Sequence, residues 1–164
     1  MITFVRVDDR IIHGQIVTRW SKEFPCDGIV AVNDKAATTA VLKKSFEAST
    51  DKKVFIWTAE EFRQKCQKVK DSPKHYFLIT KNPCDMKRIL VDEKFVPNDV
   101  KRVVVGPCND RPGAVKLGNN QSITPEEAQA LEDISKKGYD VVFALLKDNS
   151  IGPWSKFRDQ FDLK

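Results

Sequence analysis

Two apolar rhythms alternate along this chain, short near-continuous runs of β-branched and aromatic residues and longer stretches in which apolar positions return every three or four residues. The first rhythm predicts buried strands and the second amphipathic helices. Ile2–Val7 reads as a strand, and Ile16, Val17 and Trp20 fall on one face of a following helix, Gly14–Lys22. Gly28–Val32 is a second strand, followed by a helix over Ala36–Ala48 with Ala37, Val41, Leu42 and Phe46 on one side. Lys53–Trp57 is a third. Thr58 and Glu61 then form a capping box for a helix whose Phe62, Cys66 and Val69 share a face. A fourth strand covers His75–Thr80. Asn82-Pro83 supplies an N-cap and a proline at the first helical position, ahead of the stripe Met86, Ile89 and Leu90. Lys101–Gly106 is a fifth strand.

From Pro107 to Ile123 the chain is rich in Gly, Asn and Pro, which predicts a functional loop with at most a short strand near Lys116 or Ser122. Thr124-Pro125-Glu126-Glu127 opens another capped helix, which carries Ala128, Leu131 and Ile134 inward and closes at Gly138. Tyr139–Leu146 is the last predicted strand. Trp154, Phe157 and Phe161 give residues 147–164 the look of a tail helix whose stripe covers the sheet edge. Strand and helix in alternation are the mark of right-handed βαβ units. The expected fold is therefore one α/β domain over residues 1–164, a mainly parallel, open twisted sheet with helices on both faces.

Composition agrees with a single globular core: 164 residues, 41% hydrophobic and 31% charged, with 7 glycines and 8 prolines. No stretch approaches the roughly 20 apolar residues of a membrane span, so no membrane insertion is expected. The chain starts directly on a strand without a basic and apolar leader, which points to the cytoplasm. Cys26, Cys66, Cys84 and Cys108 form no C-x-x-C pair and read as reduced thiols, with no zinc site or disulfide framework. The net charge of +5 raises the question of nucleic acid. Its lysines are scattered over predicted helix faces without interleaved aromatics, so nucleic acid is not an expected partner; an acidic protein surface is.

Chemistry concentrates in one run, Arg6-Val7-Asp8-Asp9-Arg10-Ile11-Ile12-His13-Gly14-Gln15, at the carboxyl end of the first strand. Ligands of parallel sheets sit at such ends, and unpaired N–H groups of a helix start favour an anion. His13 lies there with Arg10 three residues back, a nucleophile beside a guanidinium able to neutralise phosphoryl oxygens through two N–H bonds. Gly14, lacking a Cβ, lets a phosphoryl group or a partner come close, and Gln15 can donate through its amide. Asp8 would repel a phosphoryl group unless paired. The period-two rule puts Arg6 on its side, so an Arg6–Asp8 contact orienting the loop is expected, with Asp9 more exposed and replaceable. His75 opens an apolar strand without a neighbouring acid or arginine and reads as structural.

The pattern R-x-D-x-R-x-x-H-G-Q, with Trp20 five residues further on, resembles the IIB component of the mannose/sorbose-type bacterial sugar phosphotransferase system. Val32-Asn33-Asp34, Lys81-Asn82-Pro83-Cys84-Asp85 and Val105-Gly106-Pro107 stand where that family has similar loops, and Leu146-Lys147-Asp148 lacks the proline usual after its last strand. The resemblance implies a protein-Nπ-phosphohistidine–sugar phosphotransferase: His13 takes a phosphoryl group at Nδ1 from a phosphohistidine of a IIA partner, and the group passes to a sugar held by the membrane IIC/IID permease. Neither a P-loop nor a metal-ligand cluster is present, so no metal or other cofactor is expected, and ATP is not the expected donor. Docking would occur over the strand carboxyl ends, around Arg10, Ile11, Ile12 and the loops beginning at Asn33, Lys81 and Gly106, with an exposed Ile11 or Ile12 as apolar anchor. Two other classes stay open at this stage. One is a flavodoxin-like module that binds an anion or nucleotide without catalysis. The other is a histidine-dependent hydrolase or phosphomutase, which calls for a second histidine or a paired acid.

Overall fold

A computed structural model describes residues 1–163. Seven strands form one sheet in the order β3-β2-β4-β1-β5-β8-β9: β1 (Ile2–Val7), β2 (Gly28–Val32), β3 (Lys53–Trp57), β4 (Tyr76–Thr80), β5 (Arg102–Val105), β8 (Asp140–Leu146) and β9 (Asn149–Pro153). All neighbours run parallel except β8 and β9. A separate antiparallel hairpin pairs β6 (Val115–Gly118) with β7 (Gln121–Ile123).

Strand order decides where the helices go. The chain steps outward from β1 to β2 to β3, then reverses and steps back through β4 and β5 to β8. Right-handed crossovers therefore put α1 (Gly14–Trp20), α2 (Asp34–Thr38) and α3 (Ala40–Ala48) on one face, and α4 (Ala59–Asp71), α5 (Pro83–Lys87) and α6 (Pro125–Lys136) on the other. The two cores follow this division. Val17, Trp20 and Ala36 pack with Phe4, Ile29, Phe77 and Ile79; Phe62, Met86, Leu90, Leu131 and Ile134 pack with Val5, Val30, Leu78 and Val105. The connection leaving β1 turns to one face while those leaving β4 and β5 turn to the other. A crevice therefore opens at the carboxyl end of β1, the switch point at which α/β sheets bind ligands.

Both predicted capping boxes are present. Thr58 accepts from the Glu61 N–H and Thr124 from that of Glu127, and each glutamate accepts in return from the cap residue's N–H. Each cap is worth about 1 kcal/mol. Asn82 likewise caps α5, whose last turn widens into a π-helical segment, Arg88–Asp92.

Three predicted segments differ. The helix over Ala36–Ala48 is two helices broken at Thr39, because the hydroxyls of Thr38 and Thr39 turn back to the carbonyls of Asp34 and Lys35 at 2.8 and 2.6 Å. No residue of α3 is fully buried, and Val41 lies out in solvent. Residues 107–123 hold the full β6–β7 hairpin, whose tight turn at Asn119-Asn120 uses an asparagine at φ 57°, a conformation asparagine tolerates. Residues 147–163 are not a tail helix. They turn at Lys147-Asp148 into β9, and the positive φ of Gly152 with Pro153 after it ends that strand in two short 3₁₀ turns, Trp154–Lys156 and Arg158–Phe161. The aromatic stripe still packs inward: Trp154 and Phe157 lie on Phe143, and Phe161 on Trp154. The spacing of three from Trp154 to Phe157 suits a 3₁₀ turn as well as an α-helix.

Candidate functional site

The loop after β1 is built from its acid outward. Asp8 is 1% exposed, and its carboxylate is shared by two arginines. Arg6 Nε donates to Oδ2 at 3.4 Å, Arg10 Nε to Oδ1 at 3.3 Å, and the Arg10 backbone N–H to Oδ1 at 2.9 Å. The expected Arg6–Asp8 contact is thus present, and Asp8 holds both arginines of the loop. Arg6 is as buried as Asp8. Its Nη1 and Nη2 donate to the carbonyls of Ala144 and Leu145 at 3.0 and 3.1 Å, and its guanidinium lies 5.5 Å from the centre of the Trp20 ring. Burial pulls its pKa down, and Asp8 opposes that pull. Trp20 Nε1 also reaches the Leu145 carbonyl, at 3.4 Å. Gly106 is required here, since a Cβ on it would lie 2.3 Å from Arg6 Nη2.

Asp8 also closes the turn. Ile11 donates its N–H to the Asp8 carbonyl at 2.9 Å and adopts φ 62°, an outlier for a β-branched residue and one that costs on the order of 1–3 kcal/mol. Burial holds it there, for Ile11 and Ile12 are 5% and 4% exposed, packed in the core beneath α1. They cannot be the surface anchor the sequence suggested: both side chains are used to fasten the loop. Asp9 is likewise less replaceable than expected. Its Oδ2 accepts from the Asn109 N–H at 2.7 Å, its own N–H donates to the Pro107 carbonyl at 3.0 Å, and its Oδ1 is buried without a partner among the described residues. Burial pushes its pKa up.

His13 is the N-cap residue of α1, with extended backbone and no side-chain cap bond. Its Nδ1 is buried and has no hydrogen-bond partner among the described residues. The ring shares a cavity of about 10 Å³ with Asp8, Arg6 and Trp20. Helix α1 is shorter than the predicted Gly14–Lys22. Gly14 has a different reason from the one the sequence offered, because a Cβ there would lie 2.1 Å from the Ser49 carbonyl oxygen; α3 ends against it. Gln15 is exposed, and Arg10, 40% exposed along its side chain, reaches solvent beyond Asp8.

Sequence reasoning missed the second wall of the site. Arg111 donates to the carbonyl of Asn109 at 2.8 Å and pairs with Glu127, the buried N3 residue of α6, and so fixes the Pro107–Arg111 loop that holds Asp9. The cluster of Gly, Asn and Pro marked the loop, but nothing in sequence joins Asp9 to residue 109. The other histidine lies at the opposite sheet edge, where His75 meets Asp27, an acid distant in sequence. The four cysteines are free thiols, and burial pushes Cys108 up to about 12 and Cys84 to about 11, which leaves both unreactive near neutrality. Among the described residues no cluster of three or more His, Cys, Asp or Glu could hold a metal ion, and no helix is long and apolar enough to cross a membrane.

Fold and site together define a small α/β domain that presents one histidine, beside a paired arginine, at the switch point of a parallel sheet. The chain belongs to the sorbose subfamily of IIB components of the sugar phosphotransferase system, whose family description spans residues 2–164. It is 30% identical over 141 residues to the fructose-specific EIIB component of Bacillus subtilis, covering 84% of this chain and 83% of that one. It is 29% identical over 147 residues to the mannose-specific EIIAB component of Escherichia coli K12, covering 86% of this chain but only 43% of the relative. Among solved structures, manxB from Thermoanaerobacter tengcongensis superposes with a TM-score of 0.84 at 25% identity, over 98% of this chain and 96% of that one.

Proposed function

We propose that His13 is the phosphoryl carrier of this IIB component. It accepts the group from a phosphohistidine on a IIA partner and delivers it to a sugar held by the membrane IIC/IID permease, at which the protein works from the cytoplasmic side. The observation that carries the reading is the contrast around one ring: His13 stands in a loop whose two arginines are both held by Asp8, yet its own Nδ1 is buried with no partner among the described residues. In the transfer, the P–N bond to the partner's imidazole breaks as a P–N bond to His13 forms. The electron pair of the broken bond returns to the departing nitrogen, and one N–H proton passes through solvent from the His13 ring to the departing imidazole, so that each ring ends with the proton count the other began with. No metal, oxidant or buried base is required, only in-line placement and positive charge on the equatorial oxygens. Arg10 supplies that charge, while Arg6 and Asp8 orient the loop. Gly14 and Gln15 stand at the phosphate side of the helix start.

Delivery to Nδ1 requires the imidazole to turn from the orientation seen here, and the turn breaks no hydrogen bond at that nitrogen. With Ile11 and Ile12 buried, the partner meets a polar rim formed by Arg10, Gln15, Lys81 and Asn109. Such an interface is small, transient and salt-sensitive. The test is phosphoryl uptake from a phosphorylated IIA protein by His13→Ala and His75→Ala. The first variant takes up none and the second takes up the wild-type amount; uptake by His13→Ala at the wild-type rate would refute the reading.

A further inference from the structure

The carboxylate at the root of the loop is shared by two guanidiniums of very different freedom. Arg6 is spent, with Nε on Asp8, Nη1 and Nη2 on the carbonyls of Ala144 and Leu145, and Gly106 against its back. Among the described residues the Arg10 side chain is held by Asp8 alone. Its Nε and Nη2 lie 3.3 and 3.5 Å from the Asp8 oxygens, about as far as Arg6 Nε, but it has no second anchor of the kind Arg6 finds on two carbonyls and is 40% exposed. Were the Arg10 side chain to swing away, Asp8 would not be orphaned, for it keeps the Arg10 backbone N–H at 2.9 Å and Arg6 Nε at 3.4 Å. The site can therefore lend Arg10 to a ligand and recover it without unpairing a buried charge.

Resting on the reading of His13 as phosphoryl acceptor, we propose that Asp8 is a positioning residue that competes with the phosphoryl group for Arg10, and so keeps the phosphohistidine a strong donor. A carrier has to give up what it accepts. Any interaction made only in the phosphorylated state lowers the transfer potential, and charge-assisted Arg–phosphate bonds are among the strongest available. An arginine free in the unphosphorylated protein would give the whole of those bonds to the phosphorylated state. One already paired with Asp8 gives only the difference, yet its charge stands ready for the transition state. Arg6 cannot take this part, because each of its three guanidinium nitrogens is already hydrogen-bonded within the fold and the side chain is buried. A second acid beside a phosphoryl site, unfavourable by simple repulsion, thereby acquires a use.

The experiment mixes the full chain with a phosphorylated IIA protein and measures, by ³¹P NMR, the equilibrium division of phosphoryl between the two proteins. Asp8→Asn removes the competing charge and moves that equilibrium at least tenfold toward phosphorylated His13, while onward transfer to sugar slows. A purely structural Asp8 would lower the folded fraction and leave the equilibrium constant of the folded protein unchanged, and that result overturns the proposal. Because Asp8→Asn leaves Arg6 buried without a counter-charge, Arg6→Met combined with Asp8→Asn serves if the single variant fails to fold, and the same tenfold shift is expected. The wild-type protein gives an independent readout: on phosphorylation the Arg10 Nε–H resonance moves and that of Arg6 stays, whereas a static Arg10 signal overturns the proposal. A wild type that takes no phosphoryl group overturns the function along with it. Phosphorylation with an unmoved equilibrium in the variants refutes the role of Asp8 alone.

Discussion

The two histidines of this protein lie at opposite ends of the strands of one mainly parallel sheet, and their surroundings differ in a way that separates the proposed phosphoryl acceptor from a residue bound into the fold. At the amino-terminal edge, His75 is tied down by neighbours. Its N–H donates to Asp27 Oδ2 at 2.8 Å, its Nδ1 lies 3.2 Å from the same oxygen, and its carbonyl accepts from the N–H groups of Asp27 and Gly28. At the carboxyl edge, the groups around His13 are tied to one another and the ring is left out: Asp8 holds two arginines, and Asp9 holds the Pro107–Asn109 segment. Parallel strands deliver four loops to that edge and turn them to opposite faces beside β1, which leaves a crevice there. Rigid surroundings with one unclaimed nucleophile suit transfer chemistry, and a histidine with its hydrogen bond already made does not. A cavity of about 560 Å³, lined by Ile2, Phe24, Asn98, Arg102 and Asp140 and far larger than the one beside His13, opens at the His75 end, so size alone does not mark the site.

Five substitutions break or sharpen this contrast. The largest effect is expected from Arg10→Lys, which keeps the charge but loses the planar fork; phosphoryl transfer slows 10- to 1000-fold, or about 1.4 to 4 kcal/mol, with folding nearly unchanged. Stopped-flow or quenched-flow transfer kinetics at the wild-type rate would reduce Arg10 to a partner of Asp8. Gly106→Ala forces a Cβ against a guanidinium that cannot retreat, since both its Nη groups are bonded to carbonyls. A loss of about 1–3 kcal/mol in chemical denaturation is expected, together with slower transfer as Arg6 and Asp8 shift. An unchanged midpoint would show that the clamp yields.

The pH dependence should differ in sign between the edges. Burial raises the pKa of Asp9, so the folded state binds that proton more tightly than the unfolded chain. Stability is therefore lost as pH rises from the ordinary aspartate value of 3.8 through the higher folded value. Asp9→Asn, which retains an acceptor for the Asn109 N–H, removes that loss and gains on the wild type as pH rises through the window. Asp27 is the reverse case. The His75 N–H, followed by the His75 side chain, holds its carboxylate below the usual range, and its contribution is present above 3.8 and fades as pH falls through the folded value. Asp27→Asn therefore loses against the wild type above that window and converges with it in acid. Thermal melts across pH 3 to 7 check both signs; parallel curves for the two variants would contradict the assignment. The smallest effect belongs to His75→Ala, which removes an exposed, solvent-screened pair and keeps the backbone N–H on Asp27, so its denaturation midpoint stays close to that of the wild type.

Much of this edge-to-edge contrast was legible in sequence, because parallel-sheet folds announce themselves by alternating periodicities and because both capping boxes, Thr58-Glu61 and Thr124-Glu127, lie within four residues. The active run was legible for the same reason: Arg6, Asp8, Arg10 and His13 are neighbours in the chain, and the period of a strand placed the first two together. What escaped depends on distance. Asp9 finds Asn109 a hundred residues away, Gly106 answers to Arg6, Gly14 answers to Ser49, and His75 meets Asp27; none of these pairings leaves a local trace. Ile11 and Ile12 were misread because burial at φ 62° is a property of the loop's packing and not of the residue type. The tail was misread because the Trp154–Phe157 spacing of three fits two kinds of helix, and the demand of β8 for an antiparallel neighbour lies outside the tail itself.

One measurement tests the central claim most directly. The wild-type chain is incubated with a phosphorylated IIA protein, kept at alkaline pH to preserve the acid-labile P–N bond, digested, and mapped by mass spectrometry. All of the phosphoryl group is expected on the peptide containing His13, and none on the peptide containing His75. Phosphoryl found on His75, or absent from both peptides while the IIA protein retains its own, would contradict the account.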